Sequence, residues 1–121
     1  MPKVMITDDS YFMRNKLSKL LAEHGYEIVQ AGDGVEAVHL YHKDKPDVVL
    51  MDITMPRKNG LDALSDILEL DPRALVIMLT ALDQKSVAAT AIMFGAKDFL
   101  AKPVCPNLLI KTLEKVLRLA A

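Results

Sequence analysis

The chain has 121 residues, 51% of them apolar and 26% charged, with a formal net charge of −1. That balance excludes intrinsic disorder, gives no sign of a dedicated nucleic-acid binder, and suits one domain with a sizeable core. The single cysteine excludes an internal disulfide or a cysteine-rich zinc site, and no apolar run approaches the roughly 20 residues of a membrane span. Met1-Pro2-Lys3 runs straight into a strand-like segment with no long apolar leader, so the cytoplasm is the expected compartment.

Short apolar runs alternate with longer amphipathic stretches. Val4-Met5-Ile6 reads as a strand ending at Thr7-Asp8-Asp9. Residues 11–24 read as a helix, with Phe12, Leu17, Leu20 and Leu21 at near-helical spacing, Ser10 as N-cap and Gly25 as the residue past its end. Tyr26 to Ala31 reads as a strand, Gly32-Asp33-Gly34 as a turn, and Val35 to Lys43 as a helix carrying Val35, Ala37, Val38 and Tyr41, stopped by Pro46. Val48-Val49-Leu50-Met51 is apolar throughout, as a strand covered on both faces requires, and it ends at Asp52. Leu61 to Leu70 is helical by pattern, and Asp71-Pro72 ends it. Leu75 to Leu79 is a second wholly apolar run, ending at Thr80. Gln84 to Phe94 reads as an alanine-rich helix closed by Gly95. Asp98 to Ala101 is the last strand, ending at Lys102-Pro103, and Pro106 to Ala120 is the last helix, with Leu109, Leu113, Val116, Leu117 and Ala120 on one face. Five strand–helix units in regular alternation predict an α/β fold, a parallel sheet with helices on both faces.

In an open parallel sheet, ligands bind beyond the carboxyl ends of the strands. Here those ends carry Asp8-Asp9, Asp52, Thr80 and Lys102. In a five-stranded doubly wound sheet the four ends are neighbours, and three carboxylates, a hydroxyl and an ammonium converge on one rim. Carboxylates so close repel one another unless a cation sits among them. A hard divalent ion with oxygen ligands, most naturally Mg²⁺, resolves this, and Mg²⁺ commonly shares its shell with a phosphate. Lysine and threonine then suit the remaining phosphate oxygens, and a carboxylate can itself be the nucleophile, giving an aspartyl phosphate. Asp52, on the central strand, is the candidate. Each residue taken alone has a plainer reading: Asp8-Asp9 as a helix-start pair, Asp52 as a turn residue, Lys102 as a solvated lysine.

The segments Val4 to Asp9, Val48 to Gly60, Val76 to Ala81 and Gly95 to Pro103 (VMITDD, VVLMDITMPRKNG, VIMLTA, GAKDFLAKP) carry a resemblance. In order and spacing they resemble the receiver domain of bacterial and archaeal response regulators, over the whole chain. With no output domain expected beyond residues 1–121, the chain is most similar to single-domain, CheY-like chemotaxis regulators. The resemblance implies a flavodoxin-like sheet of order 2-1-3-4-5 with five helices. It implies that Asp52 is the phosphoacceptor, and that Asp8, Asp9, Asp52 and the backbone carbonyl of Thr54 hold Mg²⁺. It implies that Thr80 is the hydroxyl that moves to the phosphate, that Lys102 pairs with the phosphate ahead of a cis bond to Pro103, and that Phe99 is an aromatic switch. A static core phenylalanine is the plainer reading of Phe99.

The implied function is a two-component switch rather than an enzyme in the ordinary sense. A histidine kinase supplies the phosphoryl group, and the fourth helix, fifth strand and fifth helix present the changed face to a target such as the flagellar motor. A phosphatase is a further implied partner; a monomer is expected, with no nucleic acid or membrane insertion. The alternative within this class is a phosphorelay intermediate that hands the group to a histidine phosphotransfer protein. A haloacid-dehalogenase-like phosphatase needs a second aspartate where Thr54 stands, a flavin carrier needs a phosphate loop where Asp8-Asp9 stand, and no DNA-binding segment is evident for a transcription regulator.

The resemblance also marks Thr54 and Leu82 as the positions that tune phosphoryl lifetime. Leu82 cannot orient a water, which argues against especially fast autodephosphorylation. Met93 and Phe94 close the fourth helix, and at least one is expected to face outward as a partner surface or to pack at the helix end. Cys105 reads as a replacement for a serine cap or as a thiol activated by the helix start and Lys102. Arg57-Lys58 reads as a solvated loop or as an attractor of acidic donors. His24, His39 and His42 read as surface residues.

Overall fold

The computed structural model describes residues 1–120, with all of their side chains except those of Leu82 and Ala120. Five strands alternate with five helices: β1 (Lys3–Thr7), α1 (Tyr11–Glu23), β2 (Glu27–Ala31), α2 (Gly34–Asp44), β3 (Val48–Asp52), α3 (Gly60–Leu70), β4 (Val76–Thr80), α4 (Lys85–Met93), β5 (Asp98–Ala101) and α5 (Pro106–Leu117). All pairings are parallel, and the strand order is β2-β1-β3-β4-β5. The doubly wound α/β architecture is the expected one, with its expected order.

Period-2 alternation along each strand splits the core into two layers. Met5, Val49, Met51, Val76 and Met78 point to one face, where they meet Ala37 and Tyr41 of α2, Ala63, Leu64 and Ile67 of α3, and Ala91 of α4. Val4, Ile6, Val48, Leu50, Ile77 and Leu79 point to the other, against Leu17 and Leu21 of α1 and Leu109, Leu113 and Val116 of α5. β3 and β4 are buried along their whole length, which explains why their sequences are apolar at every position up to the terminal Asp52 and Thr80 rather than at every second one.

The helix starts are capped as their sequences suggest. Ser10 Oγ accepts the Met13 amide at 3.2 Å, Asp33 Oδ1 accepts that of Glu36 at 2.8 Å, and Asn59 Oδ1 accepts that of Asp62 at 2.9 Å. Gly25 follows α1 at φ +89°, a left-handed value that glycine adopts freely. Several expectations are corrected. Phe12 is not on the core face of α1 but 72% exposed, because Leu17 and Leu21 already define the buried stripe one turn on. Val35 is exposed as well, and α2 begins one residue earlier, at Gly34. Gln84 is not yet in α4; Leu82–Gln84 form a separate 3-10 turn before Lys85. α5 ends at Leu117 and continues as a 3-10 turn, Arg118–Ala120; the expected role of Ala120's side chain lies outside the described residues. Cys105 does occupy the N-cap position of α5, but its side chain makes no capping hydrogen bond. Ile92, Met93 and Phe94 are all exposed, Met93 at 85% and Phe94 at 62%.

Candidate functional site

The carboxyl ends of β1, β3, β4 and β5 lie side by side because β3 is flanked by β1 and β4, and β5 closes on β4. Their polar residues therefore meet. Asp8, Asp9 and Asp52 each present a carboxylate oxygen, and these three atoms lie within 4.8 Å of one another. Asp8 and Asp52 are buried and Asp9 is exposed, so the group opens to solvent on one side. Lys102 Nζ reaches 3.0 Å from Asp8 Oδ2 and 3.2 Å from Asp52 Oδ1. A backbone hydrogen bond from the Lys102 amide to the Thr80 carbonyl, at 2.7 Å, holds the lysine at this rim, and the Lys102–Pro103 peptide is cis.

The electrostatics follow from that packing. Burial raises the Asp52 carboxyl above the usual range; Asp8 and Asp9 add to this, and Lys102 opposes it without cancelling it. Burial alone would lower Lys102, but its hydrogen bond to Asp8 and the charges of Asp52 and Asp8 outweigh that and hold the ammonium above its ordinary value. Three oxygen donors facing one ammonium leave an excess of negative charge in a half-buried pocket. The donor set therefore fits a hard divalent cation. Thr80 Oγ1 is wholly buried beside this group and has no hydrogen-bond partner, as is also true of Thr7 Oγ1. An unpartnered buried hydroxyl at a ligand rim is a donor waiting for an acceptor.

Some supporting residues had no signal in the sequence. Arg14, on α1, donates from Nη1 to the Asp8 carbonyl at 2.6 Å and from Nε to Gln30 Oε1 at 3.2 Å. The Ser10 amide donates to Asp8 Oδ1 at 2.9 Å, so Asp8 is held at its backbone and at both carboxylate oxygens. Arg57 and Lys58 are neither free nor simply solvated. Arg57 Nε donates to Asp33 Oδ2 at 2.9 Å, and Lys58 pairs with Asp66. With the Gly34 amide bonded to the Lys58 carbonyl at 3.1 Å, these contacts tie the β3–α3 loop to the start of α2. Thr54 is exposed on that loop, and Gln84 Nε2 donates to its hydroxyl at 2.6 Å. The lifetime-tuning expectation for the Leu82 side chain lies outside the described residues.

Phe99 is on β5, opposite Met78 in register and 39% exposed, on the α4 side of the sheet. His24, His39 and His42 are exposed and away from the rim, as expected. Among the described residues, no helix is long and apolar enough to cross a membrane.

The response regulator receiver domain model matches residues 4–114. The chain is 44% identical over 115 residues to the chemotaxis protein CheY of Thermotoga maritima, which covers 94% of this chain and 96% of that one. It is 47% identical over 118 residues to the protein CcdB of Bacillus subtilis, covering 97% of this chain and 98% of that one. Among solved structures, a receiver domain protein from Clostridium thermocellum superposes with a TM-score of 0.94 at 28% identity, over 98% of this chain and 95% of the other. CheY in the CheX–CheY–BeF3–Mg²⁺ complex of Borrelia burgdorferi superposes with a TM-score of 0.88 at 37% identity, over 94% and 87%.

Proposed function

This chain belongs to the response regulator receiver domain family, and on that premise we propose that it is a phospho-accepting switch whose acceptor is Asp52. The observation that carries the reading is the rim itself: a buried carboxylate at the end of the central strand, within 3.2 Å of Lys102 and beside a buried, unpartnered Thr80 hydroxyl. An Asp52 oxygen attacks phosphorus as the bond to a phosphohistidine imidazole of the donor kinase breaks. Lys102 lies where it can pair with the phosphoryl oxygens and spread the charge that develops on them. The Thr80 hydroxyl gains its missing acceptor when a phosphoryl oxygen comes within reach. Asp8, Asp9, Asp52 and the Thr54 carbonyl are the groups that would hold Mg²⁺; when bound, it neutralises charge between acceptor and donor.

The same geometry supports a reading of the output. Movement of Thr80 alters the β4–α4 loop, and Phe99, on the next strand and half-exposed, is placed to fill the space vacated. This biases the face made of α4, β5 and α5, which partners read. Ile92, Met93 and Phe94 add exposed apolar surface at the end of α4, with Phe94 bordering a cavity shared with Leu61 and Leu68 of α3. Chemotaxis is the favoured context, because relatives that match nearly end to end are chemotaxis proteins. A CheX-type phosphatase is a candidate partner, since the Borrelia relative is found in complex with CheX.

The test is intact mass after incubation with acetyl phosphate, with and without Mg²⁺, beside Asp52→Asn. One added phosphoryl group, dependent on Mg²⁺ and absent from the variant, is the expected result. No adduct from acetyl phosphate or from a histidine kinase would overturn the reading and leave a receiver-like interaction domain.

A further inference from the structure

Gln84 closes a contact that the phosphoacceptor chemistry does not require. Its backbone amide donates to the Ala81 carbonyl at 3.0 Å, and its side-chain Oε1 accepts the Ala81 amide at 3.0 Å. The other end of the same carboxamide, Nε2, donates to Thr54 Oγ1 at 2.6 Å, across 30 residues of sequence. Ala81 directly follows Thr80, and Thr54 lies two residues past Asp52. One side chain thus joins the loop leaving β4 to the loop leaving β3, the strands that carry the orphaned hydroxyl and the buried acceptor.

We propose that Gln84 is a positioning residue that latches the β4–α4 loop to Thr54 in the unphosphorylated chain, and that release of this latch limits phosphoryl uptake at Asp52. The inference rests on the phosphoacceptor reading of Asp52. Thr80 Oγ1 is buried without a partner, a costly arrangement that favours any movement giving it an acceptor. That acceptor is an oxygen of the group arriving on Asp52. To reach it, Thr80 and Ala81 must shift toward the end of β3, and the shift disrupts the Ala81–Gln84–Thr54 chain of hydrogen bonds. The latch and the orphaned hydroxyl pull the loop in opposite directions. Cutting the latch at either end lowers the barrier to uptake, the step in which an Asp52 oxygen bonds to phosphorus and acetate departs from acetyl phosphate.

The experiment compares the full chain with Gln84→Ala, Gln84→Met, Thr54→Val and the Gln84→Ala/Thr54→Val double variant. Initial rates of phosphorylation by acetyl phosphate with Mg²⁺ are read by intact mass, and Ala81 amide exchange is followed by NMR. Gln84→Ala and Thr54→Val are each expected to speed uptake on the order of threefold, the scale set by one exposed hydrogen bond. The double variant is expected to be no faster than either single, because both remove the same latch. Gln84→Met keeps the side-chain length but makes neither hydrogen bond and should match Gln84→Ala, and Ala81 should lose exchange protection in both. Should Gln84→Ala misfold, Gln84→Met and Thr54→Val decide. Uptake unchanged in the single variants, or independent effects that multiply in the double, would overturn the latch while leaving the acceptor role intact. A parent chain that takes up no phosphoryl group would overturn both.

Discussion

The ammonium of Lys102 lies closer to Asp8 than to the acceptor it would serve, 3.0 Å from Asp8 Oδ2 and 3.2 Å from Asp52 Oδ1. Among the protein's own groups it is the counter-charge to two buried carboxylates. Lys102→Met should therefore destabilise Mg²⁺-free protein by about 2–3 kcal/mol. That is below the value of about 3–5 for breaking a fully buried pair, since a quarter of the lysine side chain is exposed. Added Mg²⁺ should stabilise the variant more than the parent, because it supplies the lost positive charge. Urea denaturation with and without Mg²⁺ checks both statements; a variant as stable as the parent in metal-free buffer would refute the first.

Asp52 supplies a pH dependence of the opposite sense to an ordinary salt-bridged carboxylate. Burial, with Asp8 and Asp9 adding to it, raises its carboxyl above the usual range, so the folded chain binds that proton more tightly than the unfolded one. The resulting penalty is absent below the ordinary carboxylate pKa, grows as pH rises toward the raised value, and is full above it. In Mg²⁺-free buffer at neutral pH, Asp52→Asn should melt above the parent. The gap should narrow as pH falls toward the ordinary carboxylate range, and saturating Mg²⁺ should close or reverse it. Thermal melts over a pH series provide the check, and a variant that melts below the parent at neutral pH without Mg²⁺ would contradict the argument.

The meeting of Asp8, Asp9, Asp52 and Lys102 at one rim was legible in the sequence because strand ends announce themselves: an apolar run stops, and a polar residue stands at the stop. Alternation fixed the sheet for the same reason. The latch and the clamps were not legible. Arg14 on the Asp8 carbonyl, Arg57 on Asp33 and Gln84 on Thr54 join segments whose distance depends on the path of loops, and no period or cap pattern encodes that path. Phe12 and Val35 misled because apolar character at helical spacing was read as burial. Each helix needs only a narrow buried stripe, which Leu17 and Leu21, or Ala37 and Tyr41, already supply.

Asp33 performs two jobs with two oxygens. Oδ1 caps α2 and Oδ2 accepts from Arg57. Burial pushes its carboxyl up, but the Glu36 amide and the Arg57 guanidinium outweigh this and hold it below the usual range. Asp33→Asn keeps the cap and loses the charge pair, which should cost less than about 1 kcal/mol because Arg57 is 62% exposed. Asp33→Ala loses both and should cost about 1–2 kcal/mol. A lowered carboxylate stabilises above its unfolded pKa, and that gain is lost as pH falls through the lowered value, so the parent's advantage over Asp33→Ala should shrink in acid. Equal losses for Asn and Ala would place the effect in the ion pair rather than the cap.

Gly60, the first residue of α3, is where the backbone of Asp52, the proposed acceptor, limits substitution. A Cβ there would stand 2.1 Å from the Asp52 carbonyl oxygen and 2.9 Å from the Ile53 Cα. Both are main-chain atoms, so no rotamer change relieves the contact; the β3–α3 loop must move. The Gly60 amide also donates to the Ile53 carbonyl at 2.7 Å, a bond that the same movement stretches. Gly60→Ala should destabilise the fold by about 2–4 kcal/mol. It should also slow phosphoryl uptake at temperatures where the variant is still folded, because the displaced segment carries Asp52 at one end and the Thr54 carbonyl in its middle. Far-ultraviolet circular dichroism melts and acetyl phosphate labelling at low temperature separate the two effects. A folded Gly60→Ala chain that labels at the parent rate would show that the loop yields without disturbing the acceptor.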